Sequence, residues 1–372
     1  MRALPTELVE SVIDSASTHP PTLAACSLVC KKWLPRSRHH LFSSTDLSAY
    51  WNPEPNAVTE FLCLIESPKA TLIPFVITVV LEKRSWGMTP IRNILARLAR
   101  SGIRPKFLHI NCPVYEPTIS PDCPPVFFMS LTRLTLHLHN DMAMATLVDY
   151  VCAFPLLEYF YVGGSATYTT QVRPFAKALP PRLHTLGITN PVFVHWVLSL
   201  EPMPQQLRTT ILRAIRLSEK WPAINRFLDS AAAIGVQSLI FEHCDTYPHS
   251  ILPNLQSLGQ LQHLTFEHDH SMLADCLLGV LGALRASPAR NVVETIDLHI
   301  FSDGLTDLCI VNYGLRSRRR EQWRANDEIL ADTKLFPRLR RVGVRTPGLY
   351  GMTTEIEEDL PLCRARGLLV VR

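Results

Sequence analysis

The chain has 372 residues, 47% of them apolar and 19% charged, with a net charge of +4, a composition that excludes a disordered polypeptide. So mild a charge argues against a nucleic-acid partner, and the longest mostly apolar run, Leu72 to Leu81, is ten residues with Pro74 inside it, too short to span a membrane. Ten cysteines without a C-x-x-C pair, no Asn-x-Ser/Thr sequon and no signal-peptide pattern point to reduced thiols and an intracellular protein, cytoplasmic and/or nuclear.

In chain order, the first forty-odd residues predict three short helices. Leu4-Pro5 opens the first, because the fixed φ of proline suits a helix start. Glu7 sits in the first turn, where the helix dipole favours a carboxylate. Leu8, Val12 and Ile13 read as one apolar stripe. His19-Pro20-Pro21 stops that helix, and Thr22 reads as the N-cap of the next. Leu23, Cys26, Cys30 and Trp33, spaced by 3, 4 and 3, read as the seam that closes on the first stripe. The ordered pattern is Leu4-Pro5-x-Glu7-Leu8, then Val12-Ile13, then Leu23-x-x-Cys26-Ser27-Leu28-Val29-Cys30-Lys31-x-Trp33. In this combination residues 1–45 resemble an F-box. The resemblance implies docking on the Skp adaptor of a cullin–RING ubiquitin ligase, with the rest of the chain selecting the target. It assigns the docking role to Leu4, Pro5, Leu8, Ile13, Leu28, Val29 and Trp33. It begins almost at the first methionine, which leaves open whether another segment precedes it.

Past Phe42 an L-x-x-L-x-L spacing recurs. It appears at Val76/Val79/Leu81, Leu131/Leu134/Leu136, Leu157/Phe160/Val162 and Leu183/Leu186/Ile188. It continues at Leu212/Ile215/Leu217, Val236/Leu239/Phe241, Leu261/Leu264/Phe266, Val293/Ile296/Leu298 and Leu339/Val342/Val344, with partial copies at Leu108/Ile110 and Leu368/Val370. From Pro105 the first positions advance by 26, 26, 26, 29, 24, 25, 32, 46 and 26. The last two motif residues share one face of a short strand. Helical segments are expected between strands, at Met142–Phe154, Phe193–Leu200, Ile224–Ala233 and Met272–Ala286.

The period is similar to that of leucine-rich repeats. That resemblance implies an α/β fold for residues 46–372, a curved solenoid with a parallel sheet on its concave face. The Asn or Cys that such repeats place three residues after the motif is matched by Cys244 alone, so the repeats are degenerate. A plain α/β protein with parallel strands gives the same rhythm. The step of 46 requires an insertion, about residues 302–336. It holds a basic segment, 316–324, and a charged amphipathic helix over Glu321–Phe336. The basic segment reads either as an import or acidic-partner patch or as a solvated helix face in which Glu321, Asp327, Glu328 and Asp332 offset the arginines.

Fourteen histidines, densest at His39-His40, His137-x-His139 and His268-Asp269-His270, supply no third and fourth ligand by spacing, so no metal or other cofactor is expected. No H-E-x-x-H, Walker A, G-x-G-x-x-G or G-x-S-x-G motif is present, and no enzyme is indicated. A binding face is the better expectation. Residues between the motif positions should point out of the core, among them His109, Arg133, His137, Tyr159, Tyr161, Arg216, Glu242, Glu267, Asp297, His299 and Arg341. Arg133, His137, Tyr159 and Tyr161 form the candidate target-contact centre, because Tyr and Arg dominate interface hot spots. Two functions stay open. One is a non-catalytic substrate receptor that joins an adaptor to a protein target. The other is a repeat scaffold whose N-terminal helices only cap the first repeat. Exposure of Leu4, Pro5, Ile13 and Val29 separates them.

Overall fold

The computed structural model describes residues 5–47, 56–82, 91–112, 129–138, 147–148, 151–163, 178–188, 197–198, 206–213, 221–230, 233–242, 254–286, 292–301, 313–346 and 352–371. It is a mixed α/β fold in two compact units, residues 1–169 with 180–182 and residues 170–179 with 183–372. Every strand pair described is parallel. Among the described residues no helix is long and apolar enough to cross a membrane.

The first unit opens with helices α1 (Thr6–Ser15), α2 (Pro20–Val29) and α3 (Leu34–Phe42), which lead into strand β1 (Ser44–Asp46). There follow α4 (Asn56–Glu66), β2 (Thr78–Glu82), α5 (Ile91–Arg100), β3 (Phe107–Cys112), β4 (Arg133–Leu138) and β5 (Tyr159–Gly163). The three helices share this unit with the first strands, since the Ser43 carbonyl accepts from the N–H groups of Ile77 and Thr78 at 3.2 and 2.8 Å. The repeat motif sets the register. Val79, Leu108, Leu134 and Phe160 lie side by side, as do Leu81, Ile110, Leu136 and Val162 two residues on, and all eight are buried. Each such side chain withdrawn from water stabilises the fold by about 1.5–3 kcal/mol before entropy is subtracted.

Helix α5 ends in a way the apolar pattern does not announce. Gly102 takes φ +81°, its N–H bonds the Ala99 carbonyl at 3.0 Å, and the Ile103 N–H reaches back to Leu98 at 3.2 Å. This double closure satisfies the last carbonyls and swings buried Ile103 under the sheet. Only glycine adopts that φ at no steric cost.

The second unit contains β6 (Thr185–Ile188), β7 (Thr209–Arg213), α6 (Trp221–Leu228), β8 (Ser238–Glu242), β9 (His263–Asp269) and α7 (His270–Ala286). It continues with β10 (Thr295–Phe301), α8 (Tyr313–Leu330), β11 (Arg341–Arg345), α9 (Met352–Asp359), α10 (Pro361–Ala365) and β12 (Leu369–Val371). Leu186, Thr210, Leu239, Leu264, Ile296, Val342 and Leu369 are in register across β6–β12. The Phe241 and Phe266 rings stack in that core, centroids 5.1 Å apart. Helix α7 packs on β9 and β10.

Two expected registers are corrected. The strand expected at Leu212/Ile215/Leu217 lies five residues earlier, with Leu207, Thr210 and Leu212 buried at the motif positions. Thr210 hid it, because a polar residue fills the middle apolar site. Arg216 then falls outside the described residues. At the C-terminus Leu369 and Val371, not Leu368 and Val370, lie opposite Val342 and Val344. There Leu368 is used for the turn: Gly367 has φ +68° and the Leu368 N–H bonds Cys363 at 3.0 Å, the same closure as after α5.

The helix expected at Glu321–Phe336 begins earlier, at Tyr313, and ends at Leu330. Asp327 does not offset arginines in solvent. It is buried, and its carboxylate accepts from the N–H groups of Leu362 at 2.7 Å and Cys363 at 2.8 Å, capping α10. Neighbouring Asn326 donates to the Ala274 carbonyl at 2.9 Å, tying α8 to α7. Two expected helices appear as α6 and α7, while Met142–Phe154 and Phe193–Leu200 lie mostly outside the described residues.

Candidate functional site

The three N-terminal helices make a small core of their own. Ile13, Leu23 and Cys26 are buried, with Val9, Ala16, Trp33 and Leu41 packed against them. Pro5 caps α1 in an extended conformation (φ −52°, ψ 144°). His19, not Thr22, caps α2: its Nδ1 accepts from the Thr22 N–H at 3.4 Å, and Pro20 and Pro21 begin the helix rather than merely ending the previous one. An ionic strut fixes α1 to α3. The Arg36 Nε and Nη2 donate to the two Asp14 oxygens, both at 2.7 Å, and His40 Nε2 lies 2.7 Å from Asp14 Oδ1. The Arg36 guanidinium first, and His40 second, hold the Asp14 carboxyl well below the usual carboxylate range.

That packing divides the expected docking residues. Leu4 lies outside the described residues. Pro5 is exposed, and so are Leu8 at 55%, Leu28 at 85% and Val29 at 61%. Ile13 is buried and Trp33 half-buried in the helices' own core, so neither presents an open face. The expected stripe of α1 is therefore wrong in part: the inward line is Val9, Ile13 and Ala16, and Leu8 faces out with Val12, itself 57% exposed. The sequence reading places Val12 on the same stripe as Ile13 and gives it no docking role, because two apolar lines run along one short helix. Cys30 also leaves the expected seam, since α2 stops at Val29 and Cys30 is extended and exposed.

On the strands of the first unit, the residues one step before the motif's middle position are Phe107, Arg133 and Tyr159, adjacent in register on β3, β4 and β5. Phe107 is 38% exposed, and the Arg133 guanidinium lies over the Tyr159 ring, 4.0 Å from its centroid. The rings of His109, His137 and Tyr161 form a second line, with centroids 5.2 and 5.4 Å apart. The four expected contact residues thus fall on two neighbouring strands. One is corrected: Tyr161 is only 3% exposed, filling space beside His137 rather than facing out. Gly163 makes room for this, because a Cβ there would come within 2.8 Å of the His137 ring. Exposed Phe107, which the apolar pattern offered only as a strand neighbour, was not singled out.

On the second unit several outward strand residues pair across neighbouring strands. The Arg341 Nη2 donates to Asp297 at 2.7 and 3.0 Å, with Gly343 between them, where a side chain would run into the Asp297 carboxylate. His299 Nδ1 lies 3.1 Å from Glu267 Oε1, and His263 Nδ1 2.7 Å from Thr295 Oγ1. These contacts join β9 to β10 and β10 to β11.

Among the described residues no group of three or more His, Cys, Asp or Glu side chains could hold a metal ion. Buried Cys363 has its thiol pushed up by desolvation and by its Asp327 neighbour, which keeps it protonated and unreactive at neutral pH. Compared with models of protein families the chain matches none, and no curated protein matches it either.

Proposed function

We propose that this chain is the substrate-recognition subunit of a Skp–cullin–F-box ubiquitin ligase, with α1–α3 as the F-box and the strand–helix alternation as a degenerate leucine-rich-repeat solenoid. The observation that carries the reading is the outward display of Leu8, Val12, Leu28 and Val29 on helices whose own core is already filled. Large aliphatic groups left in water on so small a helical body favour a protein partner. They sit within the segment whose residue order resembles an F-box. Such a receptor makes and breaks no bonds. It raises the effective concentration of a target protein and orients the acceptor lysine.

A second reading, a scaffold whose helices only cap the first strand, draws on the bonds from Ser43 to Ile77 and Thr78. Co-purification of the full chain with a Skp adaptor separates the two. The intact chain should retain the adaptor, and Leu28→Asp with Val29→Asp should lose it while keeping the same melting temperature. Failure of the intact, folded chain to bind at micromolar concentration would leave the scaffold reading standing.

A further inference from the structure

We infer that the N-terminal end of β3–β5 binds an acidic peptide segment. This deepens the reading of the strand face as the target-binding surface, and it does not depend on adaptor docking. Three cations gather there, Arg104, Lys106 and Arg133, all exposed. Among the described residues none of them has a carboxylate within ion-pair distance, whereas on the second unit Arg341 is matched by Asp297 and His299 by Glu267. The nearby carboxylate does not cancel them. Glu158 is bonded through its backbone to Thr132, so it lies one strand from Arg133 and two from Lys106, yet among the described residues it makes no ion pair with either.

The geometry favours a carboxylate on a chain rather than a free ion. Arg133 is held by the Tyr159 ring at 4.0 Å, which orders the guanidinium and leaves the edge of its planar fork to donate twice to one anion. Phe107, 38% exposed on the adjoining strand, offers an apolar surface for the backbone or methylenes of a bound segment. Ordered arginine beside exposed aromatics is the composition of an interface centre. Commitment to a peptide, not a nucleic acid, follows from the small number of cations and their confinement to the ends of two strands.

The test uses the full chain and a fluorescein-labelled decapeptide of alternating Glu, Asp and Gly, read by fluorescence anisotropy at low salt. A Gln/Asn/Gly peptide, a phosphoserine-containing version and a single-stranded oligonucleotide serve as comparators. The acidic or phosphorylated peptide should bind and the neutral one should not, and whichever anionic probe is tighter names the source of the charge. Arg133→Ala should weaken binding about tenfold, with Arg133→Lys recovering only part of it. Arg340→Ala, an exposed cation of the second unit, should change nothing, and Leu28→Asp should leave the peptide affinity intact even where adaptor capture is lost. Equal binding of the neutral peptide, preference for the oligonucleotide, or unchanged affinity in folded Arg133→Ala would overturn the inference.

Discussion

Asp14 and Asp327 show how one residue type serves two ends. Asp327 is buried and spends its carboxylate on two backbone N–H groups at the start of α10. Replacing it with Ala leaves the buried Cys363 N–H and the part-buried Leu362 N–H without their acceptor, so Asp327→Ala should cost about 1–3 kcal/mol by urea unfolding, with Asp327→Asn losing less. Asp14 is half-exposed, and its paired state is what matters. Its carboxyl is depressed by Arg36 and His40. The strut's contribution is therefore complete above the unfolded value of about 3.9 and is lost as pH falls through the lower folded value. Amide protection factors in α1, corrected for the intrinsic exchange rate, should fall as the pH is lowered below about 4, and the difference from Asp14→Asn should shrink over the same window. Neither role was legible beforehand. Both depend on residues 22 to 36 positions away, a separation that spacing alone does not reveal.

The strands were the most legible elements, because period-two burial writes itself into the sequence as L-x-L. In β4, β5, β8, β9, β10 and β11 both motif positions are apolar and the expected side chains are the buried ones, while at β12 the equally apolar pair Leu368/Val370 is one residue out of register. The pattern failed at β7, where Thr210 occupies the middle site, buried and with its hydroxyl unpartnered among the described residues. Thr210→Val keeps the branched shape and removes a polar atom that costs desolvation, so it should raise stability by about 0.5–1.5 kcal/mol in thermal or chemical unfolding. A destabilised Thr210→Val would mean the hydroxyl has a partner after all. Helix ends were less legible. The glycine closures at Gly102 and Gly367 depend on φ, and the stripe of α1 could not be assigned to a side until α2 and α3 were in place. Apolar residues at i and i+1 fit either line of a short helix equally well.

At the scale of the chain, the candidate surfaces differ in kind. The N-terminal helices display aliphatic groups, the first unit's strands display cation and ring, and the second unit's strands pair Arg341 with Asp297 and His299 with Glu267. The residue order of the first forty positions named most of the exposed aliphatics, and it misplaced Ile13 because a core and a contact face look alike in composition. Tyr161 was misplaced for a related reason: alternation gives the side of a strand, not how tightly the neighbours on that side close over it. The central claim is that the helices are a handle for an adaptor. Hydrogen–deuterium exchange of the full chain with and without a purified Skp adaptor tests it most directly. Protection should appear across Thr6–Val29 and leave β9–β11 unchanged; binding with no protection there, or no binding by a chain that remains folded, would contradict it.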